Sequence, residues 1–134
     1  MILENSKSRL SLEIDNYEYI FSNDPEEADL LIVQIGIEND EHLFSFSGHA
    51  IQRNILDNFS EWLKDCNAGD HYQLGDEGPI FSRTNLCLEI KFHDENDKSD
   101  DNSMSQIFEC DATDLISSSE QIQKQLSKFP SRLN

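Results

Sequence analysis

Between Leu10 and Gln52 the chain carries ten carboxylates and no lysine or arginine: Glu13, Asp15, Glu18, Asp24, Glu26, Glu27, Asp29, Glu38, Asp40 and Glu41. Crowded like charges destabilise a compact chain, and the same field draws in positively charged molecules. A stretch this long of one sign is therefore either a solubility device or a docking field. Carboxylates could also hold a cation. Calcium loops alternate oxygen ligands, turn on a glycine and close with a bidentate acid. In the run His93–Ser103, a register from Asp94 puts Lys98 and Ser99 at the fifth and sixth positions and Ser105 at the twelfth. A register from Asp97 puts Asn102 where the glycine belongs and Phe108 where the last acid belongs. Both fail, which leaves a flexible acidic loop over 93–103.

The remaining reactive side chains do not form a motif. His42, His49, His71 and His93 are scattered beside turns and strand ends, and no H-E-x-x-H arrangement places two imidazoles on one helical face. Cys66, Cys87 and Cys110 lack metal-like pairing and have no visible activating neighbour, so they read as reduced thiols in or near a core. There is no G-x-S-x-G elbow, no phosphate loop and no dinucleotide fingerprint. No metal or cofactor is expected, and the chain reads as non-enzymatic.

Bulk composition narrows the partners. The 134 residues carry 27 acids against ten lysines and arginines, a net charge of −17. So few cations disfavour direct contact with nucleic acid or an anionic membrane surface, which leaves basic proteins. The hydrophobic fraction is 37%, but it falls in periodic blocks, which argues for a folded domain. One domain spanning 1–134 is the natural size. The first ten residues hold no apolar stretch of signal-peptide length and no run spans a membrane, so a cytoplasmic protein is expected.

The elements that position the acids follow from periodicity. Leu10, Leu12 and Ile14 alternate as a strand, Asp15-Asn16 reads as a turn, and Tyr17, Tyr19 and Phe21 repeat the period on a second strand. Ser22–Asp29 reads as a loop around Pro25. Leu31, Val33, Ile35 and Ile37 line one face of the best strand, Leu30–Glu38. Another strand covers Leu43–Gly48. The period then becomes helical from Ala50 to Cys66, with Ile51, Ile55, Leu56, Phe59, Trp62, Leu63 and Cys66 on one stripe and Gly69 just beyond as a left-handed exit. Short strands follow at Tyr72–Leu74, Leu86–Phe92 and Gln106–Asp111. Leu115, Ile116, Ser119, Ile122, Leu126 and Phe129 mark a terminal helix. The expected fold is α+β: a mainly antiparallel sheet of about six to seven strands, one long amphipathic helix packed on it, and a C-terminal helix. Phe59, Trp62, Leu63, Leu86, Leu88 and Ile90 are expected in the core.

This order of elements, with Phe59-x-x-Trp62-Leu63 on the helix, the Gly69 exit, Leu86-x-Leu88-Glu89 on a strand and Phe129-Pro130-x-Arg132 at the end, resembles the small WapI-like immunity proteins. Those are bacterial cytoplasmic inhibitors of polymorphic toxins. The resemblance implies a non-enzymatic inhibitor that occupies a toxin's nuclease domain and keeps it from RNA or DNA; it transfers no invariant site. The partner would be a basic toxin domain. Tyr17 and Tyr19 are the candidate anchors, and Glu18, Asp24, Glu26, Glu27, Asp29, Asp40 and Glu41 the candidate steering or contact charges. Two alternatives stand beside it. One is an acidic nucleic-acid mimic or other protein-interaction module; the other is a small enzyme whose site is assembled from distant residues.

Overall fold

The computed structural model describes residues 1–4, 8–19, 21, 24–39, 43–75, 78–93 and 103–132, the backbone alone at 43–49, 93 and 103–104. The acidic loop from Asp94 to Asn102 and the Asp40-Glu41 pair lie outside the described residues. The chain runs β1 (Ile2–Glu4), β2 (Ser8–Tyr17), β3 (Leu30–Asn39), β4 (Leu43–Gln52), α1 (Arg53–Asp65), β5 (His71–Gln73), β6 (Ile80–Thr84), β7 (Cys87–His93), β8 (Ser103–Glu109) and α2 (Ala112–Leu126).

The strands form two antiparallel sheets of four, β1-β2-β3-β4 and β5-β6-β7-β8, not one sheet of six or seven. Periodicity shows which face of a strand is apolar; it does not show which neighbours the strand will pair with. Here α1 interrupts the meander, and the chain starts a second sheet after it. The expectation of one dominant helix is also corrected, since α2 has 15 residues and α1 has 13.

Several boundaries moved for identifiable reasons. Asp15-Asn16 is not a turn. Ile14 faces Val33 and Asn16 faces Ile32, so Asp15 is an extra residue in a continuous β2. The expected strand over Tyr17–Phe21 is absent because β2 already ends at Tyr17. Helix α1 begins at Arg53 rather than Ala50, since Ala50, Ile51 and Gln52 still pair with Ile32, Leu31 and Leu30. The unforeseen β6 buries Phe81 and Arg83, so an arginine stands where alternation would show an apolar residue. Leu86 lies in the turn before β7 and is 71% exposed, not core. Gly69 adopts a left-handed φ of +97°, but in a turn beyond the helix: α1 ends at Asp65 and leaves through Cys66 in extended conformation, so Gly69 is not its exit.

Inward-facing residues of both sheets and both helices form one apolar cluster. Its centre includes Leu12, Ile35, Leu56, Phe59, Phe81, Phe108 and Ile122. The α1 aromatics fasten the second sheet: the ring of Phe59 lies 4.6 Å from Phe81 and 5.4 Å from Tyr72, whose hydroxyl donates to the Ile55 carbonyl at 2.7 Å. Trp62 is half-buried and stacks on Phe59 at 6.2 Å.

Helix α2 opens with a reciprocal cap, Asp114 N–H to Asp111 and Asp111 N–H to Asp114. It then docks on the first sheet through side-chain amides. Gln121 Oε1 accepts the Ile2 N–H at 2.8 Å. Gln125 Oε1 accepts from Ile14 N–H at 2.8 Å, and its Nε2 donates to the Leu12 carbonyl at 3.1 Å. Beyond the three-residue β1, two glutamines one helical turn apart thus stand in for a missing strand. No helix among the described residues is long and apolar enough to cross a membrane.

Candidate docking surface

The acids expected to act sit mainly in the connection from β2 to β3. Glu18 N–H donates to the Leu30 carbonyl at 2.8 Å, which closes the connection behind it. Asp24 shapes the far part: its carboxylate accepts the Glu26 N–H at 2.8 Å, and its carbonyl accepts from Glu27 and Ala28. Gln52 Nε2 holds the Glu26 carbonyl at 2.8 Å. Glu18, Asp24 and Glu26 are exposed, and Glu27 is half-buried.

The base of this connection is gripped by the C-terminal segment. Arg132 donates from Nη2 to the Tyr19 carbonyl at 2.7 Å and from Nε to the Ala28 carbonyl at 2.7 Å, with a further Nη2 bond to the same Ala28 oxygen. One guanidinium therefore holds both ends of the segment from Tyr19 to Ala28. Asp29 locks the gripping residue in turn. It is only 6% exposed, and its carboxylate accepts from the Arg132 N–H at 2.7 Å and the Ser131 hydroxyl at 2.5 Å. The Asp29 carbonyl accepts the Arg53 N–H at 2.9 Å, and the Arg53 guanidinium holds the Phe129 carbonyl at 2.8 Å.

The two candidate anchors differ. Tyr17 is half-buried, its ring edge-on to Phe129 at 5.6 Å and its hydroxyl bonded to the Pro130 carbonyl at 2.6 Å. Tyr19 is 43% exposed. A third aromatic, Phe21, is 99% exposed. The alternation of Tyr17, Tyr19 and Phe21 predicts a shared strand face, but β2 ends at Tyr17 and Phe21 lies beyond it.

Asp40 and Glu41 lie outside the described residues, but Asn39, which precedes them, ends β3 at the opposite end from Leu30. Ten strand residues separate the two ends by roughly 30 Å. Glu13 and Asp15 on β2 and Glu38 on β3 are exposed between those ends. The acids are thus spread along the first sheet rather than gathered at one point.

Sites for chemistry are poor by comparison. His71 Nδ1 lies 2.8 Å from Ser82 Oγ, but on the exposed face of the second sheet. Burial pushes the Cys66 thiol up, and raises that of Cys110 to about 11 despite the Arg83 guanidinium beside it. Both are held as thiols at neutral pH, which is the wrong state for a nucleophile. A groove of about 510 Å³ runs between α2 and the β1–β2 edge, lined among others by Ile2, Glu13, Ile14, Lys124, Lys128 and Phe129. No histidine or thiol lines it. Among the described residues no group of three or more His, Cys, Asp or Glu is placed to hold a metal ion.

Compared with known families, residues 1–130 match the model of the immunity protein WapI-like family. The chain belongs to that family. No curated protein and no solved structure matches it. The WapI-like match takes in every strand and both helices, and it ends two residues short of Arg132. Membership in an immunity-protein family points to a toxin-immunity role.

Proposed function

We propose that this WapI-like protein binds and neutralises a cognate toxin domain in the bacterial cytoplasm, and that the toxin domain is a basic nuclease. The family match carries the immunity role. The net charge of −17 supports a basic partner, because opposite fields raise the encounter rate and carboxylates can take the place of substrate phosphates. In this reading Glu18, Tyr19, Asp24, Glu26 and Glu27 face the toxin. Tyr17 and Asp29 support them from below. Asp40 and Glu41, which follow Asn39 in the sequence, add to the acidic charge. Inhibition is by occupancy: the bound protein covers the cationic groups that a nuclease needs for its substrate backbone, and no bond is made or broken.

The test is co-expression with the C-terminal domain of the toxin encoded in the adjacent gene. Expected are cell survival, a complex that co-elutes on size exclusion, and an association rate that falls steeply between 50 and 500 mM salt (concentrations of about these values span strong to weak screening). Neither protection nor a complex would overturn the reading. A tight complex with no salt dependence would retain immunity and remove the basic partner.

A further inference from the structure

The exposed aromatics of the β2–β3 connection are not explained by folding. Along one stretch of chain, exposure climbs from the half-buried Tyr17 through 43% at Tyr19 to 99% at Phe21. A phenylalanine wholly in water gives the core nothing, and with the exposed Tyr19 two residues before it, it offers a partner two aromatic contacts close in the chain. The charges around it say which kind. Glu18 precedes it, and Asp24 and Glu26 follow it, all exposed, with Glu27 half-exposed behind them. Interfaces concentrate their energy in a few aromatic anchors, ringed by polar groups that choose the partner.

The described ends of the segment are held by the fold. Arg132 grips it at the Tyr19 and Ala28 carbonyls, and Asp24 folds its far part into a turn. A connection anchored at both ends has less conformational freedom to lose on binding than one that is not.

We propose that Phe21, supported by Tyr19, is the apolar anchor of the interface, and that it enters an apolar pocket rimmed by lysine and arginine on the toxin domain. This rests on the immunity reading above and adds to it a division of labour. The acids set approach and partner choice, and the aromatic sets residence time. The acids alone would give a fast, weak and salt-labile complex; the anchor makes it slow to dissociate.

The experiment measures association and dissociation rates of the full chain against the toxin domain from the adjacent gene, isolated from the co-expressed complex. The variants are Phe21→Ala, Tyr19→Ala and the charge reversal Glu26→Lys. For Phe21→Ala the expected result is at least about a 30-fold loss of affinity, taken up in the dissociation rate. Its salt dependence and its urea midpoint should match the wild type. Glu26→Lys should slow association and flatten the salt dependence with little change in dissociation. If the wild type binds and Phe21→Ala binds within about twofold of it, the anchor is wrong and the immunity reading stands. If the wild type does not bind at all, both fall. If the free protein dimerises and Phe21→Ala abolishes the dimer without altering toxin binding, the aromatic serves a second copy of this chain and the proposal is overturned.

Discussion

The guanidinium of Arg132 lies over the ring of Tyr17, 3.9 Å from its centroid. The same group grips the Tyr19 and Ala28 carbonyls, so one cation joins the chain terminus, the end of β2 and both ends of the acidic segment. Tyr17 is thereby occupied by Arg132 over its ring and by Phe129 in a T-shaped contact.

Replacing Arg132 should loosen this junction. Lysine keeps the charge but not the planar fork that reaches two carbonyls while stacking on a ring. Arg132→Lys should lose about 1 kcal/mol of stability and Arg132→Ala about 2 kcal/mol, read from urea midpoints. In both variants the amides of Glu26, Glu27 and Ala28 should exchange with deuterium faster, while those of β3 stay protected. Unchanged exchange at 26–28 would mean that Asp24 and Gln52 hold the segment without the tail.

A buried cation in the second sheet gives a sharper prediction. Arg83 is 8% exposed and directs its guanidinium at the carbonyls of Cys110 (3.2 Å), Cys87 (3.4 Å) and Asn85 (3.5 Å), and at the Cys110 sulfur (3.4 Å). It ties the β6–β7 turn to the end of β8. Arg83→Met keeps the length and strands these acceptors, which should cost about 3 kcal/mol. Arg83→Lys should recover less than half of that, because one ammonium cannot span so many carbonyls. Thermal unfolding of the three proteins decides; a loss below about 0.5 kcal/mol for the methionine variant would show that water replaces the guanidinium.

Alkaline pH should weaken the fold through three protons that burial holds in place, on Cys110, Cys66 and Tyr72. Burial raises Cys110 to about 11 from 9.0 and lifts Tyr72 above 10.0. In the unfolded chain the thiol releases its proton near pH 9, while the folded chain retains it. Unfolding then liberates protons, and stability must fall as pH rises through that interval. The contribution is complete below pH 9 and declines above it, with Tyr72 adding to the fall above pH 10. Urea midpoints measured from pH 7.5 to 10.5 should drop above pH 9, and the Cys110→Ala/Tyr72→Phe double variant should drop less steeply from its own neutral value.

The pattern of what sequence could and could not convey follows the physics of each element. Leu31, Val33, Ile35 and Ile37 on β3 and Leu56, Phe59 and Leu63 on α1 announced their buried faces because nothing polar breaks the period. β6 is not legible because its second inward residue is Arg83, whose burial is made possible by main-chain oxygens at Asn85, Cys87 and the distant Cys110. β1 is too short to carry a period at all. The two sheets looked like one because pairing choice is a property of the whole chain. For the candidate surface, the acidity and the exposed Tyr19 were legible. The inward turn of Asp29 was not, since its partners Ser131 and Arg132 lie more than a hundred residues away.

The grip of Arg132 on the β2–β3 connection is made to main-chain oxygens, and every polypeptide supplies those whatever its side chains. Apart from Asp24, whose carboxylate shapes the turn, the side chains between Tyr19 and Ala28 can therefore be exchanged without losing that grip. A lineage facing a new toxin could rewrite that stretch alone and keep its fold, in the manner of an interchangeable cassette. The glutamine-sealed sheet edge and the aromatic core would be inherited unchanged beneath it.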